Sequence, residues 1–306
     1  MAYGVNSSLF SRVMLWVAER FPLSNAPLFV IIYFLSMTVA LAPDVNMSGL
    51  HIIIGSILSV SFFLLLRVLD EHKDYQDDCI HHPERVLQRG LITLRHLKFI
   101  GAGCLFLQLA GMALLAPGLS NMLASWGLLL LWTLLMTREF FVPEWLKKHF
   151  FVYAVSHTLI MPFIIWWLAT LSFPEITLNR PIQLLMLLSF FSGLNFEITR
   201  KCKGPDEDRP EVTTYSQLLG RPLAVLFIIC LLVAMALTQY AIITHIRGAA
   251  PMWFYVINIA SVVVTLGQLL HFLSVPDQSN RKRNELAVGL SAFIGYLLCI
   301  FSICFS

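Results

Sequence analysis

The sequence predicts an all-α polytopic membrane protein with nine transmembrane helices, and three observations carry that prediction. Only 13% of the 306 residues are charged and 58% are hydrophobic, against about 25% charged in a soluble domain. The apolar residues come in continuous runs long enough to cross a bilayer, which takes about 20 residues. The basic residues gather in alternate loops. The runs are 26–43, 49–69, 97–117, 121–137, 150–173, 181–197, 221–244, 251–273 and 286–305, the fourth being short. Pro162, Gly193 and Gly267 lie within them, as is tolerated where helices pack on one another. The first run follows a polar segment with Arg12, Glu19 and Arg20, and no small-residue cleavage site comes after it, so it reads as a retained helix. Before it, Leu9 to Phe21 mixes apolar and charged positions. That suits a helix lying at the membrane interface or an ordinary cytoplasmic lead-in.

Nineteen of the 21 Lys and Arg fall in the N-terminal segment and the connections after helices two, four, six and eight, or at their edges; only Arg180 and Arg247 fall on the other side. This asymmetry places the N-terminus and the even-numbered loops in the cytoplasm. The odd-numbered loops are short, so residues 1–306 read as a single transmembrane domain. A net charge of +3 argues neither for nor against nucleic acid; no nucleic acid is expected as a partner, and membrane lipid is. The six cysteines form no CxxC pair and read as small core residues, not as a metal site or disulfide framework.

The acidic residues carry the functional signal. Helix two ends in Asp70, Glu71, Lys73, Asp74, Tyr75, Asp77 and Asp78, followed by Arg85, Arg89 and Gly90. Asp70, Asp74 and Asp78 are four apart and share one face of a continuing helix, where like charges repel. A divalent cation offsets that repulsion, and Mg²⁺ favours one or two carboxylates together with phosphate oxygens and water. Arg85 and Arg89 offer the guanidinium fork that suits phosphate. A solvated, salt-bridged loop is the plainer alternative. The acids begin at the end of a membrane helix, however, where unpaired charge is costly and usually functional.

Helix six ends in a second polar stretch: Asn195, Glu197, Arg200, Lys201, Lys203, then Asp206, Glu207, Asp208, and further on Thr214, Tyr215 and Ser216. The two segments 70–84 and 197–211 hold eleven of the eighteen acidic residues. Here the chain resembles the UbiA superfamily of intramembrane prenyltransferases, whose two aspartate-rich motifs follow helices two and six. The family pattern N-D-x-x-D-x-x-x-D reads Asp70-Glu71-x-x-Asp74-x-x-x-Asp78, and R-P-L-x-x-G reads Arg85-Val86-Leu87-Gln88-Arg89-Gly90. Glu197 matches the first acid of the second motif, but Lys201 stands where the next acid belongs. These departures resemble a divergent branch that contains membrane-bound terpene cyclases.

The resemblance implies nine helices surrounding a central cavity, and Mg²⁺-dependent ionisation of a C10–C20 allylic isoprenyl diphosphate. Asp70, Glu71, Asp74 and Asp78 would hold the metal, with Glu197 facing them. Arg85, Arg89, Arg200, Lys201 and Lys203 would hold phosphate oxygens, and Tyr75 and Tyr215 would donate hydrogen bonds or face the allyl group. Lys201 argues against a second site made of carboxylates alone. The expected reaction is prenyl transfer to an aromatic or lipid acceptor. Its rival is cyclisation, in which a double bond of the same substrate captures the cation. A transporter or scaffold is the non-enzymatic alternative, although transporters place ionisable groups nearer mid-membrane. Elsewhere, Arg138, Glu139, Lys147 and Lys148 read as membrane anchoring, as does Arg281-Lys282-Arg283. His157, four residues before Met161-Pro162, either reaches the cavity or, on the plainer reading, is a packed histidine near a kink.

Overall fold

Apolar segments in a bilayer must satisfy every backbone group internally, which leaves the helix as the natural form for each of these runs. The computed structural model describes residues 7–115, 118–207 and 213–305, so Asp208 and Glu211 of the second acidic stretch lie outside the described residues. Among those described there are helices and no strands, and nine helical spans are long and apolar enough to cross a membrane. Eight single helices supply spans: α2 (Ala26–Leu41), α3 (Gly49–Lys73), α5 (Leu94–Leu114), α6 (Leu119–Thr137), α10 (Arg180–Arg200), α12 (Arg221–Arg247), α13 (Met252–Ser274) and α14 (Gln278–Phe305). The fifth span is two helices, α8 (Phe150–Thr158) and α9 (Ile160–Ser172). They part at Leu159, because Pro162 has no N–H for the Thr158 carbonyl and its ring crowds that group.

The spans follow one another around the molecule: α2 packs on α3, α3 on α5, α5 on α6, α6 on α9, α9 on α10, α10 on α12, α12 on α13 and α13 on α14. The ring closes where α14 packs back on α2. Its interior is crossed by contacts of α2 with α9 and of α10 with α14. Two boundaries differ from the sequence expectation by four residues or more. The second span runs on to Lys73, and the ninth begins at Gln278, where the Asn280 N–H donates to the Asp277 carboxylate at 2.7 Å.

Four short α-helices lie outside the ring among the described residues: α1 (Leu9–Arg20), α4 (Tyr75–His81), α7 (Pro143–Lys148) and α11 (Tyr215–Leu219). The segment Leu9 to Phe21 is helical over Leu9–Arg20. It is fixed to the protein by Trp16, fully buried against Val68, Leu87 and Ile92. The Arg12 guanidinium donates to the Leu91 carbonyl at 3.0 Å, and Glu19 accepts from the Val86 N–H at 2.9 Å. This helix braces the loop that follows the first acidic motif.

Candidate functional site

The first motif lies on an almost unbroken helix. Asp74 separates α3 from α4, yet its N–H donates to the Asp70 carbonyl at 2.8 Å, and the Asp78 N–H donates to the Asp74 carbonyl at 2.8 Å. Side chains four apart therefore stay on neighbouring paths, and the surroundings decide which partner each acid finds. Asp70 and Asp74 line a cavity of about 390 Å³ with Arg67, Lys73, Glu197, Arg200 and Lys201. Its deeper wall is apolar and includes Met136, Ile160 and Met161. Gly193 lets α10 approach here: a Cβ at that position would lie 2.9 Å from the Thr158 methyl.

The acids divide into two groups. Neither Asp70 nor Asp74 forms an ion pair or side-chain hydrogen bond among the described residues. Asp74 opens to solvent at the cavity mouth, but the protein packed around its inner side desolvates it. That desolvation, assisted by Asp78 and Asp77 and opposed by Lys73, lifts its carboxyl above the usual range. Glu71, Asp78 and Glu197, by contrast, are already paired. Glu71 is buried beneath α1, held by Arg20 at 2.5 Å and by Arg67. Asp78 sits 2.5 Å from Arg85 and 3.6 Å from Arg20. Glu197 is bracketed by Lys201 at 2.6 Å and Arg200 at 2.8 Å.

The second motif thus brings a net positive charge to the cavity. Lys201, at the C-terminal end of α10, lies 4.8 Å from the centre of the Phe150 ring, a favourable cation–π distance. The rest of that acidic stretch faces elsewhere. Glu207 pairs with Arg281 at 2.7 Å, Asp206 accepts from the Gln278 N–H at 3.2 Å, and Gly204 packs against the Pro276 carbonyl with no room for a side chain. These contacts fasten the loop to the start of α14. Arg281, read from sequence as a membrane anchor, is engaged by Glu207 and Glu285.

Of the residues singled out in the sequence, Asp70, Asp74, Glu197, Arg200 and Lys201 meet in the cavity, while Glu71, Tyr75, Asp78, Arg85, Arg89, Lys203 and Tyr215 do not line it. Tyr75 packs into the Trp16 cluster and bonds Cys79, which raises its phenol pKa. Tyr215 is buried, its ring 4.8 Å from Phe150; burial first, then the Glu197 charge, push its hydroxyl up. It backs the aromatic ring under Lys201. Arg89 is exposed, and the Lys203 backbone N–H donates to Ser216 at 3.0 Å.

Sequence reasoning missed a second row of polar groups. Lys73 donates to the Tyr153 hydroxyl at 3.0 Å and pairs with Glu139 at 3.0 Å. His157 stacks on Tyr153 with ring centres 3.9 Å apart, and both line the cavity. Glu139 belongs to a turn, Glu139–Phe141, in which all three residues have positive φ of 47° to 61°. Such left-handed backbone costs about 1–3 kcal/mol per non-glycine residue and clusters at functional sites. Glu139 is therefore part of this network, beyond the anchoring read from sequence, and His157 is a wall of the cavity as well as a neighbour of the kink. The signal available was two polar side chains four apart in an apolar helix.

No family sequence model matches the chain, and no curated protein matches it by sequence. Solved structures do match. A digeranylgeranylglyceryl phosphate synthase aligns with a TM-score of 0.65 at 16% identity, over 96% of this chain and 99% of that one. An apo UbiA homologue from Aeropyrum pernix K1 gives 0.61 at 14% identity, over 87% and 97%. A UbiA homologue from Archaeoglobus fulgidus, bound to DMAPP and Mg²⁺, gives 0.55 at 14% identity, over 96% and 97%. The likeness shows the fold, that of an all-α polytopic membrane protein. The fold is that of UbiA homologues.

Proposed function

We propose that the protein is a Mg²⁺-dependent intramembrane enzyme that ionises an allylic isoprenyl diphosphate and transfers the prenyl group to an acceptor, with the cavity on the cytoplasmic side. One observation carries the reading: two unpaired carboxylates, Asp70 and Asp74, share a cavity with four cations, Arg67, Lys73, Arg200 and Lys201. Asp70 and Asp74 would hold the metal. Two acids one helical turn apart suit Mg²⁺, which completes its shell with water and phosphate oxygen. When bound, Mg²⁺ supplies Lewis-acid stabilisation of the charge gathering on the diphosphate oxygens.

The side chains do the rest. Arg200 and Lys201 bind phosphate oxygens from one wall, with Arg67 and Lys73 across from them, so that fixed positive charge meets the departing pyrophosphate. Glu197 keeps Arg200 and Lys201 in place, while Glu71 and Asp78 hold the first motif to α1. The apolar wall formed by Met136, Ile160 and Met161 takes the start of the prenyl chain and excludes water from the cation. The volume lies within the range of about 300–1,000 Å³ usual for small-molecule sites. The likeness to a homologue that binds DMAPP and Mg²⁺ supports the same reading.

Purified protein with Mg²⁺ and C10, C15 or C20 isoprenyl diphosphates tests it. Pyrophosphate release that needs a membrane extract supports transfer. Release without acceptor, together with a hydrocarbon, replaces transfer by cyclisation at the same site. No turnover in either condition from well-folded protein overturns both.

A further inference from the structure

Capture of an allyl cation leaves one proton to be removed, whatever captures it, and the cavity must supply an acceptor. Its carboxylates are committed: Glu197 to two cations, Asp70 and Asp74 to the metal in the reading above. The remaining basic lone pair belongs to His157. Its Nδ1 lies 2.9 Å from the Tyr153 carbonyl oxygen, which can only accept, so Nδ1 carries the hydrogen and Nε2 the bare lone pair. Nε2 is buried with no hydrogen-bond partner. A buried polar atom left in that state needs an explanation.

The position of the ring supplies one. Tyr153 stacks on one face of the imidazole, and Phe140 sets its edge 6.1 Å away at 80°, so the ring is held in one orientation. Along the fifth span, Tyr153 and its Lys73 lie on the charged side of His157, and Ile160 and Met161 lie on the apolar side. The histidine sits at the border between where phosphate oxygens and where hydrocarbon would bind. Resting on the prenyl diphosphate reading, we propose that His157 is the catalytic base that takes the proton released on capture.

The step balances. The C–O bond to the diphosphate breaks, and pyrophosphate leaves with the electron pair. The acceptor's electron pair forms the new bond to the allyl carbon, and its proton passes to Nε2; without an acceptor, an adjacent C–H pair becomes a double bond and that proton passes to Nε2. Pyrophosphate then takes the proton from the imidazolium.

The test compares the unaltered protein with His157→Ala, and with His157→Phe, which keeps a ring to stack on Tyr153. Pyrophosphate, prenyl alcohol and final product are each quantified. Both variants should keep releasing pyrophosphate while final product falls about 10²–10⁴-fold and prenyl alcohol accumulates from capture by water. Added imidazole should restore product to His157→Ala but not to His157→Phe, whose ring fills the space. Unchanged product from either variant, or a common loss of pyrophosphate and product that imidazole does not relieve, overturns the assignment. If the unaltered protein releases no pyrophosphate, the diphosphate reading falls and takes the base with it.

Discussion

The two motifs begin alike, each at the end of a membrane helix with an acid followed by charged residues, and the fold sets them to opposite tasks. At the end of α3, Asp70 and Asp74 are left without a partner, while Glu71 and Asp78 are drawn off by Arg20, Arg67 and Arg85. At the end of α10, the single acid Glu197 carries two cations three and four residues on. On the first side the cations Arg67 and Lys73 are already engaged by Glu71 and Glu139, while the other side carries a net positive charge. In the reading proposed above, a diphosphate bridging the two sides would take metal on the first side. The difference shows that counting acids in a motif is no guide to metal stoichiometry; what counts is how many remain free once the neighbouring helices have packed.

The largest test of this asymmetry removes a free acid. Asp74→Ala should lower pyrophosphate release on the order of 10²–10³-fold or more, with expression and thermal unfolding of the metal-free protein little changed. Undiminished turnover sinks the metal assignment. Next, Lys201→Glu makes the second motif resemble the first. It should reduce kcat/KM about 10–100-fold, equivalent to about 1.4–2.7 kcal/mol, and raise the Mg²⁺ concentration needed for half-maximal rate. A variant with the original Mg²⁺ dependence shows that Lys201 does not stand in for a cation.

Smaller effects are expected where an acid is already paired. Glu71→Gln should cost about 1–3 kcal/mol of stability by loosening Arg20 and Arg67, measured as a lower unfolding temperature in detergent. Its Mg²⁺ dependence should match the unaltered protein; a shift means that Glu71 reaches the metal. The mildest test is pH. Asp74 has a raised carboxyl pKa in the metal-free protein, so its folded form binds a proton more tightly than the unfolded chain does. The stability this confers is present at low pH and lost as pH rises through the folded pKa, above the ordinary carboxylate range. Mg²⁺ should cancel the loss, since it binds the ionised form. Unfolding temperatures that decline equally with pH with and without Mg²⁺ contradict this.

Most of the ring was legible because bilayer thickness imposes a length on apolar runs that no tertiary contact overrides. The ends were less so. Residues 70–73 and 278–285 are polar, so hydropathy stops short of them, yet the backbone stays helical because caps and ion pairs such as Asp277 with Asn280 and Arg281 with Glu207 hold it. Within the site, spacing pointed to Asp70, Asp74, Glu197, Arg200 and Lys201. It could not say that Glu71 and Asp78 turn toward α1, because that depends on where Trp16 packs. Lys73, Tyr153 and His157 were hidden for a similar reason. They come together only when α8 faces α3, and the Glu139–Phe141 turn that completes them rests on backbone dihedrals that composition does not announce.

The closure of α14 on α2 has a consequence for biogenesis. The first and last spans are neighbours in space and furthest apart in synthesis, so during translation α2 waits with an open flank until the final span inserts. The Glu207–Arg281 bridge joins the second motif to that same final span. The loop that follows the cavity's positive wall is therefore fastened late, after the acids of the first motif and the cations of α10 have long been made. A chain stopped before α14 would carry Arg200 and Lys201 on a helix whose following loop is still unfastened, and quality control could recognise it by the uncovered face of α2.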